Sequence, residues 1–128
     1  AQGWEIIATI EDYCTSGVEP ERVMSAPIPA VNTLLERNNL GVLDVDVYEH
    51  NEAFASASCA VAQELGIPHE RFNLNGGAVS LGHPLGASGT RCLITMLGVM
   101  RRLEAQSGIV TLCLGGGNAV AMYVRRPV

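Results

Sequence analysis

Residues 109–114 read Ile-Val-Thr-Leu-Cys-Leu, a run without a charge, and three consecutive glycines follow at once. A strand that is apolar on both faces must be covered on both, the condition of a central strand with helices on either side. The rest of the chain supplies such a sheet. Residues 5–12 are rich in β-branched side chains and read as a first strand. Ser16-Gly17, Pro20, Pro27 and Pro29 mark an irregular connection. Pro29 suits a first helical turn, and Val31, Leu34 and Leu35 form a short apolar stripe ending near Asn38-Asn39. Leu43, Val45 and Val47 alternate with Asp44, Asp46 and Tyr48, which is strand periodicity. Phe54, Ala57, Val61 and Leu65 share one helical face, closed by Gly66 and Pro68. Residues 71–75 suit a short strand. Leu93, Met96, Leu97, Met100 and Leu103 then make the longest helical stripe, with Ser88 and Thr90 available as capping hydroxyls. Residues 118–125 read as a last strand.

The order strand, helix, strand, helix, strand, helix, strand, strand predicts an α/β fold. Its sheet is mainly parallel, with helices on both faces and one antiparallel member behind the glycine turn. The 128 residues, 48% hydrophobic and 16% charged, suit one domain spanning residues 1–128 with a sizeable core. All eight basic residues are arginine and the formal net charge is -5, with no basic cluster beyond two Arg-Arg pairs. That argues against nucleic-acid binding, which rests on phosphate neutralisation. No apolar run approaches the roughly 20 residues of a membrane span, and the N-terminus lacks signal-peptide order. Cys14, Cys59, Cys92 and Cys113 are widely spaced and lack metal-ligand spacing. They are expected as free thiols in a cytoplasmic or other reducing compartment, with no metal or resident cofactor.

Three positions follow expected strand ends, where open parallel sheets place their ligands. Asn51 is either a helix N-cap or an amide aimed at a carbonyl or an ordered water. His83 lies in residues 75–89, a loop with five glycines and a proline that presents the ring at the mouth of a helix. It is either a loop histidine bonded to nearby backbone, or a base or an oxyanion donor. Cys113 is either inert filler or a thiol beside a turn whose glycines expose backbone N–H groups to an oxyanion.

Asn51-Glu52-Ala53-Phe54-Ala55, Gly82-His83-Pro84 and Cys113-Leu114-Gly115-Gly116-Gly117 together resemble the three signatures of the C-terminal half of thiolases, in the same order and at similar separations. Asn73-Leu74-Asn75-Gly76-Gly77 and Pro84-Leu85-Gly86-Ala87-Ser88-Gly89 fit the same family, and the likeness runs over nearly the whole chain. The resemblance implies a βαβαβαββ domain, three-layer α/β/α with a mixed five-stranded sheet. It implies thiolysis of 3-ketoacyl-CoA or Claisen condensation of two acyl-CoA molecules, with CoA and acyl-CoA as substrates. By motif, His83 would activate a nucleophilic cysteine and help hold the thioester oxygen, and Cys113 would be the acid/base. Asn51 would position a water completing an oxyanion hole with His83, and the Gly115 N–H would serve a second hole. Ala53 and Phe54 would line the pantetheine and acyl channel.

The family's nucleophile is a different cysteine, carried by the N-terminal half in a Cys-x-Ser-Gly context. The stretch of that form here, Cys14-Thr15-Ser16-Gly17, lies on the wrong side of the fold order and is not taken for it. Cys59 and Cys92 fall inside expected helices and are read as packing residues. His50 stands where the family usually has an aliphatic residue, and Ala119 replaces a common glycine. The expectation is therefore a catalytic half whose nucleophile comes from an N-terminal half or partner chain, in an oligomer, with apolar surface exposed where that half docks. The alternative is a non-catalytic acyl-CoA binding or assembly subunit. Ketoacyl synthases and chalcone-synthase-like enzymes share the architecture. They differ around Asn51 and lack the Cys-x-Gly-Gly-Gly end.

Overall fold

The computed structural model describes residues 3–127. Strands β1 (Thr9–Gly17), β2 (Val47–His50), β3 (Ser107–Cys113) and β4 (Asn118–Arg125) form one sheet in the order β1-β4-β3-β2. β2 and β3 are parallel, and β4 is antiparallel to both of its neighbours. Three strands thus point one way and β4 alone opposes them, as the glycine turn implies. Because β4 lies between β1 and β3, two of the three pairings are antiparallel, and the sheet is mixed where a mainly parallel one was expected. The helices are α1 (Pro27–Arg37), α2 (Ala55–Leu65), the single turn α3 (Ala78–Leu81) and α4 (Ser88–Leu103).

β3 is buried along most of its length, and its side chains divide between two cores. Ile109 packs with Val31 and Leu34 of α1 and Val61 and Leu65 of α2. Val110 packs with Met96, Val99 and Met100 of α4, joined by Val47 and Val124. Successive residues of a strand face opposite ways, so the uncharged run is what lets one sheet carry helices on both sides. Each fully buried side chain of this size is worth about 1.5–3 kcal/mol. Two such layers hold the end of the sheet where the site lies.

Three expected strands are placed differently. The first runs over Thr9–Gly17 and not 5–12, because β4 ends at Arg125 opposite Thr9 and residues 5–8 overrun their partner. Pairing with β4 also carries Ser16 and Gly17 into the ladder, overriding their turn preference. The alternation over 43–48 falls partly on a 3-10 turn, Val42–Asp44, with the strand following at Val47–His50. All four residues of that strand are buried, so it has no polar face to alternate with.

The fifth strand, expected over 71–75, is reduced to a single parallel bridge between Tyr48 and Phe72. Asn73 follows with φ 50°, a left-handed conformation that no strand continues through. Its side-chain amide takes over the ladder: the His50 N–H donates to Asn73 Oδ1 at 2.7 Å, and Asn73 Nδ2 donates to the His50 carbonyl at 3.0 Å. The sheet therefore has four strands, not five. Among the described residues no helix is long and apolar enough to cross a membrane.

Candidate functional site

Asn51 leaves β2 with its backbone N–H donating to the carbonyl of Thr111 at 3.0 Å, which extends the parallel ladder by one residue. It is fully buried and does not cap α2, whose N-cap position is Phe54. Its amide lies among side chains. Arg91 Nη2 donates to Asn51 Oδ1 at 3.2 Å, and the Cys92 thiol reaches the same oxygen at 3.8 Å. Asn51 Nδ2 lies 3.4 Å from His83 Nε2. An N-cap is thus the wrong account of this asparagine.

His83 does not follow a strand end. It stands between α3 and a 3-10 turn, Leu85–Ala87, that leads into α4. Gly82 before it has φ 95°, which disfavours any side chain, and Pro84 follows. The ring is pinned at its far side, where Nδ1 lies 2.5 Å from Ser88 Oγ. That contact occupies the hydroxyl expected as a helix cap; α4 starts from Ala87 without a side-chain cap. Glu52 sets the approach of the whole loop. It accepts from Asn73 Nδ2 at 3.0 Å and from the Val79 N–H at 2.9 Å. Its carboxylate lies where a Cβ on Gly77 would sit, so any side chain there would push Glu52 out of these bonds.

Behind Asn51 lies a group that sequence patterning did not single out. Arg91 Nη1 donates to Glu49 Oε1 at 2.9 Å, and the Glu49 side chain is 1% exposed. Burial pushes the Glu49 carboxyl up to about 7, against the pull of Arg91. Burial likewise holds the Cys92 thiol at about 11, so it meets Asn51 as an S–H donor. Two signals for the group were present: a glutamate inside an apolar strand, and an arginine in the first turn of a helix, where the dipole disfavours a cation.

Cys113 is the last residue of β3, two positions beyond Thr111, so it emerges from the same edge of the sheet as Asn51 on the adjacent strand. Burial raises its thiol above the ordinary range. It forms no side-chain hydrogen bond with Asn51 or His83 among the described residues. The following turn is closed by the Leu114 N–H donating to the Asn118 carbonyl at 2.7 Å and by Asn118 Nδ2 donating to the Gly115 carbonyl at 3.2 Å. Gly115 is exposed. Ala53, half-buried, forms the turn after Asn51, and Phe54 is exposed beside it. Val79, Leu81 and Leu85 are also exposed on the loop that carries His83.

His50 fits in place of an aliphatic residue by setting Nδ1 2.7 Å from Ser58 Oγ and stacking on Phe72. Its Nε2 is buried without a partner among the described residues, and burial lowers its pKa to about 4. Cys14 lies on β1, across β4 from β3, and donates to the Ala30 carbonyl at 3.2 Å beneath α1. It is a packing thiol far from Asn51 in the sheet order. Cys92 is buried as expected, but Cys59 is exposed on α2. All four cysteines are free. Among the described residues no cluster of His, Cys, Asp and Glu could hold a metal ion.

Comparison with known proteins places the chain as a whole in a family. Residues 4–126 match the family described as thiolase, C-terminal domain. The cytosolic acetyl-CoA acetyltransferase of Rattus norvegicus is 45% identical over 94% of this chain and 30% of its own length. The acetyl-CoA acetyltransferase of Escherichia coli (strain K12) is 43% identical over 98% of this chain and 32% of its own. The crystal structure of the Bacillus anthracis acetyl-CoA acetyltransferase superposes with a TM-score of 0.94 at 37% identity, covering 98% of this chain and 32% of that one. The chain thus spans 30% to 32% of the length of these relatives. With that match over almost all of its residues, the chain belongs to the thiolase C-terminal domain family.

Proposed function

We propose that this chain is the C-terminal catalytic half of a thiolase, an acyltransferase acting on CoA thioesters, whose nucleophilic cysteine comes from an N-terminal half or a partner chain. The observation that carries the proposal is the pairing of the Asn51 amide with the His83 ring at 3.4 Å, with Cys113 ending the adjacent strand. An amide paired with an imidazole, with a thiol at the end of the neighbouring strand, suits chemistry in which an oxygen gains charge while protons move. CoA and acyl-CoA are substrates, and no resident cofactor enters the scheme.

In the thiolysis direction His83 Nε2 takes the proton of the nucleophilic thiol, and the thiolate attacks the 3-keto carbonyl. The bond between C2 and C3 breaks, its electron pair passes to the departing acyl-CoA as an enolate, and the Cys113 thiol protonates that carbon. Burial holds Cys113 as a thiol, the form this step needs. The resulting Cys113 thiolate takes a proton from CoA, whose sulfur then attacks the acyl-enzyme thioester and frees the nucleophile. A water on Asn51 and the Nε2–H of His83 would hold one developing oxyanion, and the Gly115 N–H the other. Losing one such donor costs about 2.7–4 kcal/mol of barrier. Claisen condensation runs the same steps in reverse.

Phe54 and Ala53 would line the channel for the pantetheine arm and acyl group. Exposed Val79, Leu81 and Leu85, with Ile94 on α4, offer apolar surface to an N-terminal half and are consistent with an oligomeric enzyme. Four free thiols suit a cytoplasmic or otherwise reducing compartment. The second reading is a non-catalytic acyl-CoA binding or assembly subunit. Its support is that burial moves the Cys113 thiol away from neutrality.

The deciding experiment is acetoacetyl-CoA thiolysis by this chain combined with a matched N-terminal half. Turnover is expected, and Cys113→Ala is expected to lower kcat by about 10²- to 10⁴-fold with the fold intact. Turnover unaffected by Cys113→Ala would refute the acid/base role. Tight acyl-CoA binding with no turnover would establish the second reading.

A further inference from the structure

The reaction scheme above leaves open what decides which end of the Asn51 amide faces His83. An amide has an acceptor at one end and donors at the other, whereas a guanidinium only donates. Arg91 Nη2, 3.2 Å from the amide, must therefore face its oxygen, and the Cys92 thiol adds a second donor to the same atom. The amide nitrogen is left to face His83 Nε2 at 3.4 Å. A donor opposite Nε2 requires that nitrogen to accept. The ring proton then sits on Nδ1, against Ser88 Oγ at 2.5 Å.

Arg91 is itself tied down. Its Nη1 donates to buried Glu49 at 2.9 Å, so two nitrogens of one rigid fork serve two acceptors that belong to the end of β2. A lysine ammonium, a point donor on a flexible stem, does not reproduce that spacing. Helix α4 gains nothing from a cation in its first turn, so the placement is not explained by the helix.

We propose that Arg91, held by Glu49, is a positioning residue: its fork keeps the Asn51 oxygen turned inward, which holds His83 as its Nδ1–H tautomer and keeps on Nε2 the lone pair that the nucleophile's thiol takes over from the long amide contact at 3.4 Å. A reversed amide would set oxygen against Nε2 and favour the Nε2–H tautomer, which has no lone pair to offer the thiol. This role rests on the thiolase reading for its consequence in catalysis, while the tautomer itself does not.

The test uses this chain joined with its N-terminal half, as wild type and Arg91→Lys. Nitrogen–proton correlation spectra report which ring nitrogen of His83 is protonated, and acetoacetyl-CoA thiolysis reports kcat and KM. The wild type is expected as the Nδ1–H tautomer. Arg91→Lys is expected to mix the tautomers and to lower kcat about 10- to 100-fold with KM within about twofold. A wild-type His83 protonated on Nε2 overturns the proposal even if the variant does not fold. Arg91→Lys with wild-type ring signals overturns it too, whether or not kcat falls, since such a loss would be structural only. If the wild type shows no thiolysis while Arg91→Lys still mixes the tautomers, the thiolase reading fails and the positioning stands.

Discussion

Past the end of β2, Asn51 meets Arg91, Cys92 and His83, with Glu49 and Ser88 behind them. At the end of β3, Cys113 has its backbone pairing with Ala119 and no side-chain hydrogen bond among the described residues. The two ends of adjacent parallel strands are thus held in opposite ways. An amide or an imidazole acts through its orientation, and orientation has to be set by fixed partners. A thiol that hands a proton to substrate is served better by having substrate as its partner. The cross-linked end should therefore be fragile to single substitutions in stability, and the open end fragile in activity alone.

The strongest way to break the comparison is at Glu49. Glu49→Ala leaves the Arg91 guanidinium enclosed without its carboxylate, and losing one member of a buried pair typically costs about 3–5 kcal/mol. Chemical denaturation midpoints check this; a loss under about 1 kcal/mol would mean the network is not what holds Asn51.

A pH series at His50 follows. The ordinary value for its ring is 6.5 and burial lowers it to about 4, so the unfolded chain takes up a proton first as pH falls. Stability from this group is complete above pH 6.5 and is lost on descent to pH 4, by about 3 kcal/mol in total. Glu49 acts oppositely. Its carboxyl is raised from 4.5 to about 7, so the folded state binds the proton first and gains stability as pH falls through that window. The two partly cancel. His50→Leu should unmask the Glu49 dependence, with stability increasing from pH 7 to pH 4.5, and a variant profile parallel to wild type would refute the assignment.

The smallest effect is expected at the open end. Asn118→Ala removes one exposed bond, to the Gly115 carbonyl, and should shift stability by about 1 kcal/mol or less. A larger loss would show that the glycine turn is held as firmly as the Asn51 side.

Legibility followed local order. Residues 118–125 were readable as a strand because alternating small and apolar residues after a glycine turn leave few other options, and β4 spans Asn118–Arg125. The stripes through Val61 and Met96 gave α2 and α4 for the same reason. The expected strand over 71–75 was not borne out, because its sequence looks extended while Asn73 turns left-handed and substitutes its amide for a ladder. His83 and Cys113 were legible as candidates from residue type beside glycine turns, and Asn51 from its place after an expected strand. Arg91, Glu49 and Ser88 were not, since each resembles an ordinary helix or strand residue until long-range contacts are known.

What the sequence alone determined is the layer plan: an uncharged central strand, amphipathic helices for both faces, one reversed strand, and three chemically apt residues, two of them beside glycine-rich turns. Periodicity and turn chemistry are local properties, and local properties survive without coordinates. Tertiary structure decided that the sheet stops at four strands, that Cys14 is remote from the site, and which way the Asn51 amide faces His83. Those outcomes depend on hydrogen bonds between residues tens of positions apart, such as Arg91 with Glu49 and Asn51. The orientation of a single buried amide is settled only when all its neighbours are in place.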